Sequence, residues 1–258
     1  MWADLELPSG GSELVTQRLR WIEPGVFLMG SPESEAGRYE NEGPQHEVTI
    51  SHGFWLFDTP CTQALWETVM DGENPSSFKS PDRPVERVSW DDVQQFLKRI
   101  NALVPGLELV LPTEAQWEYA CRAGTTTPFS FGGNITPEQV NYNGNYPYSD
   151  GERGVYRQKT VPVASLPANP WGLYEMHGNV WEWCADGHRT YTADGVTDPV
   201  GLAGLYRVLR GGAWYDDARL VRCAYRFALD PGSRDFSFGF RCARVQAGRE
   251  PASGPEAR

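Results

Sequence analysis

The chain has 258 residues, enough to bury a core without disulfides or metals, and its 40% hydrophobic and 22% charged composition is that of a globular protein. A formal net charge of -11 disfavours nucleic acid and anionic membrane as partners, and no stretch is long and apolar enough to span a bilayer. The N-terminus MWADLELPSGG has neither the basic nor the apolar region of a signal peptide, so a cytoplasmic location is expected, either for the chain alone or as a piece of a longer protein.

In chain order, residues 1–20 read as a polar N-terminal extension, 21–245 as one domain, and 246–258, rich in Gly, Pro and Ala, as a disordered tail. Strands are expected at 25–29 and 46–50, separated by an acidic loop that by itself reads as solvated surface. A first helix is expected from about residue 60, where Thr62, Leu65, Trp66, Val69 and Met70 follow a helical period. A second starts at the Ser89 cap with Val93, Phe96, Leu97 and Ile100 on one face. A third follows Thr113, with Trp117, Ala120 and Cys121 inward. Beyond residue 122 Gly, Pro, Asn, Asp and Trp dominate, so long loops are expected to pack on a small sheet with strands at 206–210 and 238–243.

Eight motifs appear in fixed order between residues 21 and 244: FLMGSPESEAGRYENEGPQHEVTI, TQALWETVM, RPVERVSWDDV, LPTEAQWEYACRAG, VPVAS, GLYEMHGNVWEW, RVLRGGAW and GFRCAR. Together they resemble the formylglycine-generating-enzyme (sulfatase-modifying-factor) family. The resemblance implies an α+β domain of the C-type-lectin-like fold with little regular secondary structure. In that family GLYEMHGNVWEW holds calcium, whose ligands here would be the Glu175 and Glu182 side chains and the Gly178 and Val180 carbonyls; a turn with Glu182 in a salt bridge is the competing reading. A second family calcium site would use Asn141 and its neighbours, which match it poorly. Trp117, Trp181, Trp183 and Trp214 read as core aromatics, and His177 as a structural hydrogen-bonding residue. No paired-histidine spacing supports zinc or iron.

Five dispersed cysteines without CxxC spacing argue against a zinc site or a disulfide framework, and Cys61 and Cys184 read as buried small hydrophobes. The family resemblance pairs Cys121 with Cys223. The same family's enzymes need redox-active cysteines after the Gly-Gly turn, and residues 212–222 contain none. A catalytic role and a copper ion are therefore not expected.

The segment after Gly212 alternates framework pieces with other residues: Tyr215, Asp216, Asp217, Leu220, Phe227, Ala228, Leu229, Asp230, Gly232, Ser233, Asp235, Phe236, Ser237 and Phe238. Each is reachable from an Asn codon by changing its two adenines. This resembles the variable protein of a diversity-generating retroelement, whose adenine-directed mutagenesis randomises a lectin-like binding surface. The resemblance implies a non-catalytic, monomeric binder of a protein or other macromolecular ligand through residues 213–238, with Phe238 alternatively in the core. An oxidase of the same family and a regulatory or scaffold domain of a longer protein are the competing readings. The framework arginines Arg210, Arg219, Arg222, Arg226, Arg234 and Arg241 are expected to tie loops together, since a guanidinium offers five donors.

Overall fold

Three capped helices come where their sequence signals lie. In α1 (Gln63–Val69) the Thr62 hydroxyl accepts the Leu65 N–H; α2 (Trp90–Leu103) and α3 (Glu114–Arg122) begin with capping boxes, Ser89 with Asp92 and Thr113 with Gln116. The stripe Val93, Phe96, Leu97 and Ile100 of α2 is buried, and Phe96 stacks on Trp66 of α1 with ring centroids 5.4 Å apart. The structure, a computed structural model, describes residues 1–8, 14–201 and 204–245. The tail expected at 246–258 lies outside the described residues.

The strands are β1 (Trp2–Pro8), β2 (Leu14–Ile22), β3 (Gly25–Met29), β4 (His46–Ile50), β5 (Phe54–Phe57), β6 (Trp181–Gly187), β7 (Val196–Thr197), β8 (Arg207–Arg210), β9 (Arg226–Leu229), β10 (Phe238–Gly239) and β11 (Ala243–Val245). They form three sheets, ordered β1-β2-β5-β11, β10-β6-β8-β9 and β3-β4-β7. The first is antiparallel throughout; in the others β10 runs parallel to β6 and β7 parallel to β4. With the helices this is an α+β architecture.

Two expectations are corrected. Residues 1–20 are not an extension set apart from the domain: β1 and β2 form a hairpin that joins β5, and Leu5, Leu7 and Leu19 enter the core. Their alternation with polar neighbours is a strand period that an averaged polarity conceals. The expected strand at 238–243 is two strands in different sheets, one on β6 and one on β5, joined through Phe240, Arg241 and Cys242.

Where ladders are absent, buried ion pairs brace the loops. Arg226 grips Glu114 with two bonds of 2.7 Å and also donates to the Asn41 and Arg189 carbonyls. Arg210 pairs with Glu118 and donates to the Cys223, Ala224 and Tyr225 carbonyls. Arg222 holds Glu42 and Glu35, and Arg241 holds Glu182. All four arginines are buried, as are Glu42, Glu114, Glu118 and Glu182. The acidic loop at 32–43 is thus not simply solvated surface, because Arg222 reaches in to its acids.

Candidate binding face

The segment after β8 opens with two left-handed glycines, Gly211 (φ 93°) and Gly212 (φ 69°). A Cβ on Gly212 would press into Val221 and the Leu220 carbonyl. The turn closes when the Asp216 Oδ2 accepts the Ala213 N–H at 2.8 Å, and Asp217 caps the 3-10 turn Ala218–Val221 by accepting the Arg219 N–H. The chain then enters β9 at the sheet edge. Strand alternation turns Arg226 inward and Phe227 outward. It returns to β6 through β10.

Eleven of the fourteen candidate contact residues are exposed or half-buried, with Phe227 38% and Phe236 40% exposed. Asp216 and Ser237 are buried, which corrects their reading as surface residues; Phe238 is buried too, in the core as its alternative reading has it. Asp216 closes the Gly-Gly turn. Ser237 donates to Asp235, and its carbonyl receives the Trp181 N–H. Phe238 packs edge-on against Trp183 at 5.7 Å, in the core. Among the framework arginines, Arg219 and Arg234 are also corrected: both are exposed and bind only a near-surface carboxylate as ion partner, Asp217 and Asp92.

The exposed rings rest on buried tryptophans. Tyr215, Phe236 and Trp214 form a triangle with centroids 5.3–5.6 Å apart. Phe78 meets Trp214 edge-on and Tyr156 stacks on it. Trp181 supports Phe227 at 5.6 Å and Tyr225 at 5.7 Å, and Tyr39 leans on Tyr225. Tyr39, Phe78 and Tyr156 come from loops far from the segment, and no local pattern in the sequence singles them out. Asp217 lies on a separate cleft of about 370 Å³ with Arg153, Arg219 and Tyr146.

The turn at 175–182 is also built as a site. Glu175 (φ 49°), Gly178 (φ 72°) and Asn179 (φ 63°) are left-handed, and a Cβ on Gly178 would strike the Asn141 carbonyl. Glu175 is buried, and neither carboxylate oxygen receives a well-formed hydrogen bond; the Ala164 amide only approaches it. Burial pushes its pKa up to about 8, with Glu182 and Asp58 adding to the rise against the pull of Arg241. A cavity of about 10 Å³ beside it is lined by Glu175, Asn169, Gln139 and His177. An orphaned buried carboxylate fits a cation. Glu182 fits less well: Arg241 takes both its oxygens at 2.7 Å and the Trp117 indole donates to one of them.

Cys121 and Cys223 are brought together, with sulfurs 3.7 Å apart, both as buried thiols. His177 joins them, the three ligand atoms lying within 4.8 Å of one another. The ring is committed elsewhere: Nδ1 faces the Val221 carbonyl at 2.7 Å, and Nε2 accepts the Ser130 N–H at 3.1 Å. It is a structural histidine, as expected. Cys61 and Cys184 are buried, as are the four tryptophans read as core.

Residues 12–246 match the sulfatase-modifying factor enzyme 1-like domain. The chain belongs to the sulfatase-modifying factor enzyme 1-like family. Among its relatives, the serine/threonine-protein kinase pkn1 of Chlamydia caviae is 32% identical over 87% of this chain and 37% of its own length. The formylglycine-generating enzyme of Mus musculus is 33% identical over 77% of this chain and 53% of its own. The chain therefore spans about a third to a half of these curated relatives. In structure it is similar to Treponema denticola variable protein 1, with a TM-score of 0.78 and 25% identity over 94% of this chain and 99% of the other. It is also similar to PvdO from Pseudomonas aeruginosa, with a TM-score of 0.75 and 28% identity over 89% and 94% of the two chains. The formylglycine-generating-enzyme-like, C-type-lectin-like fold follows. In this family member no helix among the described residues is long and apolar enough to cross a membrane.

Proposed function

We propose that this domain is a non-catalytic binding module. Residues 213–238 present its ligand contacts, in the manner of diversity-generating-retroelement variable proteins. The observation that carries the reading is the placement of Tyr215, Phe227 and Phe236 as accessible rings on buried tryptophans, within a segment whose Arg222 and Arg226 are locked to buried glutamates. Aromatics with few rotors give contact area at low entropic cost, and the small polar residues around them adapt. The likeness to Treponema denticola variable protein 1 supports the same reading. The partner is a macromolecule, a protein by preference, bound by the single chain.

The oxidase reading draws on the kinship with formylglycine-generating enzymes. It requires an accessible reactive thiol, and here all five cysteines are buried with none at 212–222. We further propose a structural calcium held by the Glu175 carboxylate with the Gly178 and Val180 carbonyls, and with Glu182 contributing from its pair with Arg241. Bound there, calcium would neutralise the orphaned carboxylate and pin the turn that carries Trp181.

The test of the binding reading is panning a random peptide library against the protein and against a Tyr215→Ala, Phe227→Ala, Phe236→Ala triple variant. Selected peptides should bind the parent and lose at least about tenfold in affinity on the variant. Peptides bound equally by both overturn the reading.

A further inference from the structure

Beside the face runs a cleft of about 530 Å³ that the ring clusters leave unused. Its apolar lining is Trp66, Met70 and Pro75, the first two of them buried. Trp66 is 3% exposed, fixed by its stack on Phe96 and by an edge contact with Phe240 at 6.1 Å. Its indole N–H finds no acceptor among the described residues. A buried donor left unpaired is costly, and on a residue that lines a cleft a guest can supply the acceptor.

Arg87 lines the same cleft. It is exposed, its guanidinium makes one hydrogen bond, to the Ser77 hydroxyl at 3.2 Å, and it pairs with no carboxylate among the described residues. Its backbone is left-handed, φ 65°, a conformation few residues other than glycine adopt. The Arg87 N–H donates to the Asp235 carbonyl at 2.9 Å, which ties the cleft to the face. Arg234 lines the cleft from the segment itself, but it gives Nε and Nη2 to Asp92 at 2.7 Å each, so those two charges offset one another. The remaining charged group of the lining is Glu73, which is exposed.

Two unspent donors set the chemistry of the guest. Trp66 lacks an acceptor, and Arg87 lacks an anionic one, which a planar carboxylate supplies with two parallel bonds. A glutamate side chain adds two methylenes that can lie on the apolar lining. A lysine would leave both donors unmet. With a net charge of -11 the chain repels a broadly acidic partner, so the anion it accepts is a single side chain and not an acidic run.

We propose that this cleft takes a glutamate side chain of the macromolecular partner, with the carboxylate on Arg87 and an acceptor of the same segment on the Trp66 indole. This rests on the reading of the neighbouring face as a binding surface for a protein, and it adds a second, charge-selective anchor to the rings.

The experiment titrates N-acetyl-glutamate methylamide and its glutamine and lysine analogues into isotope-labelled protein, followed by amide and indole chemical shifts. The glutamate probe should shift the Arg87, Gln95 and Asp235 amides and the Trp66 indole proton in a saturable way, and the glutamine probe should bind at least about tenfold more weakly. Asn tolerates a left-handed backbone, so Arg87→Asn should keep a native spectrum elsewhere while its affinity for the glutamate probe falls about tenfold. Glu73→Gln removes the opposing charge and should strengthen binding, and Arg87→Glu should put the lysine probe ahead of the glutamate probe. No saturable shift, equal responses to glutamate and glutamine, or a response unchanged in Arg87→Asn overturns the proposal. The panned peptides keep the two ideas apart: peptides that need the three rings but bind Arg87→Asn unchanged overturn the glutamate anchor alone, and peptides that need neither overturn the binding reading with it.

Discussion

Replacing Arg222 with Ala removes five donor contacts at once. The guanidinium donates to Glu42 at 2.6 and 2.8 Å, to Glu35 at 2.5 Å, and to the Gly37 and Arg219 carbonyls at 3.0 and 2.9 Å. Glu42 is 0% exposed and the Glu35 side chain 3%, so the variant strands one acid with no access to water and a second with little. Burial already lifts the Glu35 pKa above the usual carboxylate value while Arg222 pulls it down; without Arg222 only the weaker pull of Arg122 opposes the rise. Breaking a buried pair from one side costs about 3–5 kcal/mol, more than the pair's own worth, because the abandoned charge stays buried with nothing to offset its lost hydration. Equilibrium urea denaturation of the full chain should therefore show a midpoint lowered by about 1 M or more at unchanged slope. Arg219→Ala is the control. Arg219 is three residues away, half exposed and paired only with Asp217, so its loss should stay within about 0.5 kcal/mol. Adding Glu42→Gln to Arg222→Ala should recover part of the loss, since a neutral amide is cheaper to bury. A loss below about 1 kcal/mol for Arg222→Ala, or equal losses for the two arginines, would refute the idea that the buried pairs hold the loops.

Phe227→Ala and Phe236→Ala should each cost under about 1 kcal/mol, whereas Phe238→Ala should cost about 3–5 kcal/mol, all read by the same denaturation; similar values for the three would mean that the exposed rings are structural. Glu175 carries a folded pKa of about 8 against an ordinary 4.5, so its contribution to stability is full below pH 4.5 and is lost as pH rises to about 8. Glu175→Gln should accordingly stabilise the calcium-free protein by about 3 kcal/mol at pH 7 and by nothing near pH 4; calcium should raise the Tm of the parent and not of the variant, and a parent indifferent to calcium would dismiss the proposed ion. Mild oxidation should link Cys121 to Cys223, seen as the loss of the thiol hydrogens by intact mass. Closing a loop of 102 residues should add up to about 5 kcal/mol by chain entropy; alkylation of both thiols after oxidation counts against the link.

Local signals were sufficient for the helices. Thr62, Ser89 and Thr113 each sit one residue before the helix they cap, and the partners Asp92 and Gln116 lie three residues on. Strands β3 and β4 match their expected limits because β3 is a bounded apolar run and β4 alternates buried Val48 and Ile50 with Glu47 and Thr49. The hairpin β1–β2 escaped because Arg18, Arg20 and Glu6 swamp the alternating Leu5, Leu7 and Leu19 in any average over the segment. The partition of 238–243 between two sheets is a property of the tertiary register: the Cys61 N–H reaches the Phe240 carbonyl and the Phe57 N–H that of Cys242. Tyr39, Phe78 and Tyr156 join the face only through the fold, so nothing near them in sequence marks them.

The binding reading depends on keeping contact residues and stabilising residues separable within one short segment. The pleat does this in β9, where Arg226 points in to Glu114 and Phe227 points out to Trp181, one residue apart. The 3-10 turn does it again, with Arg222 locked to Glu42 while Leu220 stays half-buried. Neither device covers positions 216, 237 and 238. There a change of side chain meets the fold directly: at Asp216 it removes the acceptor of the Ala213 N–H, at Ser237 it must fit a site with no exposure, and at Phe238 it empties the space against Trp183. Tolerance to substitution on the proposed binding face is thus graded. Change is free at the rings and acids of the rim, and it is constrained to hydrogen-bond acceptors of similar size at Asp216.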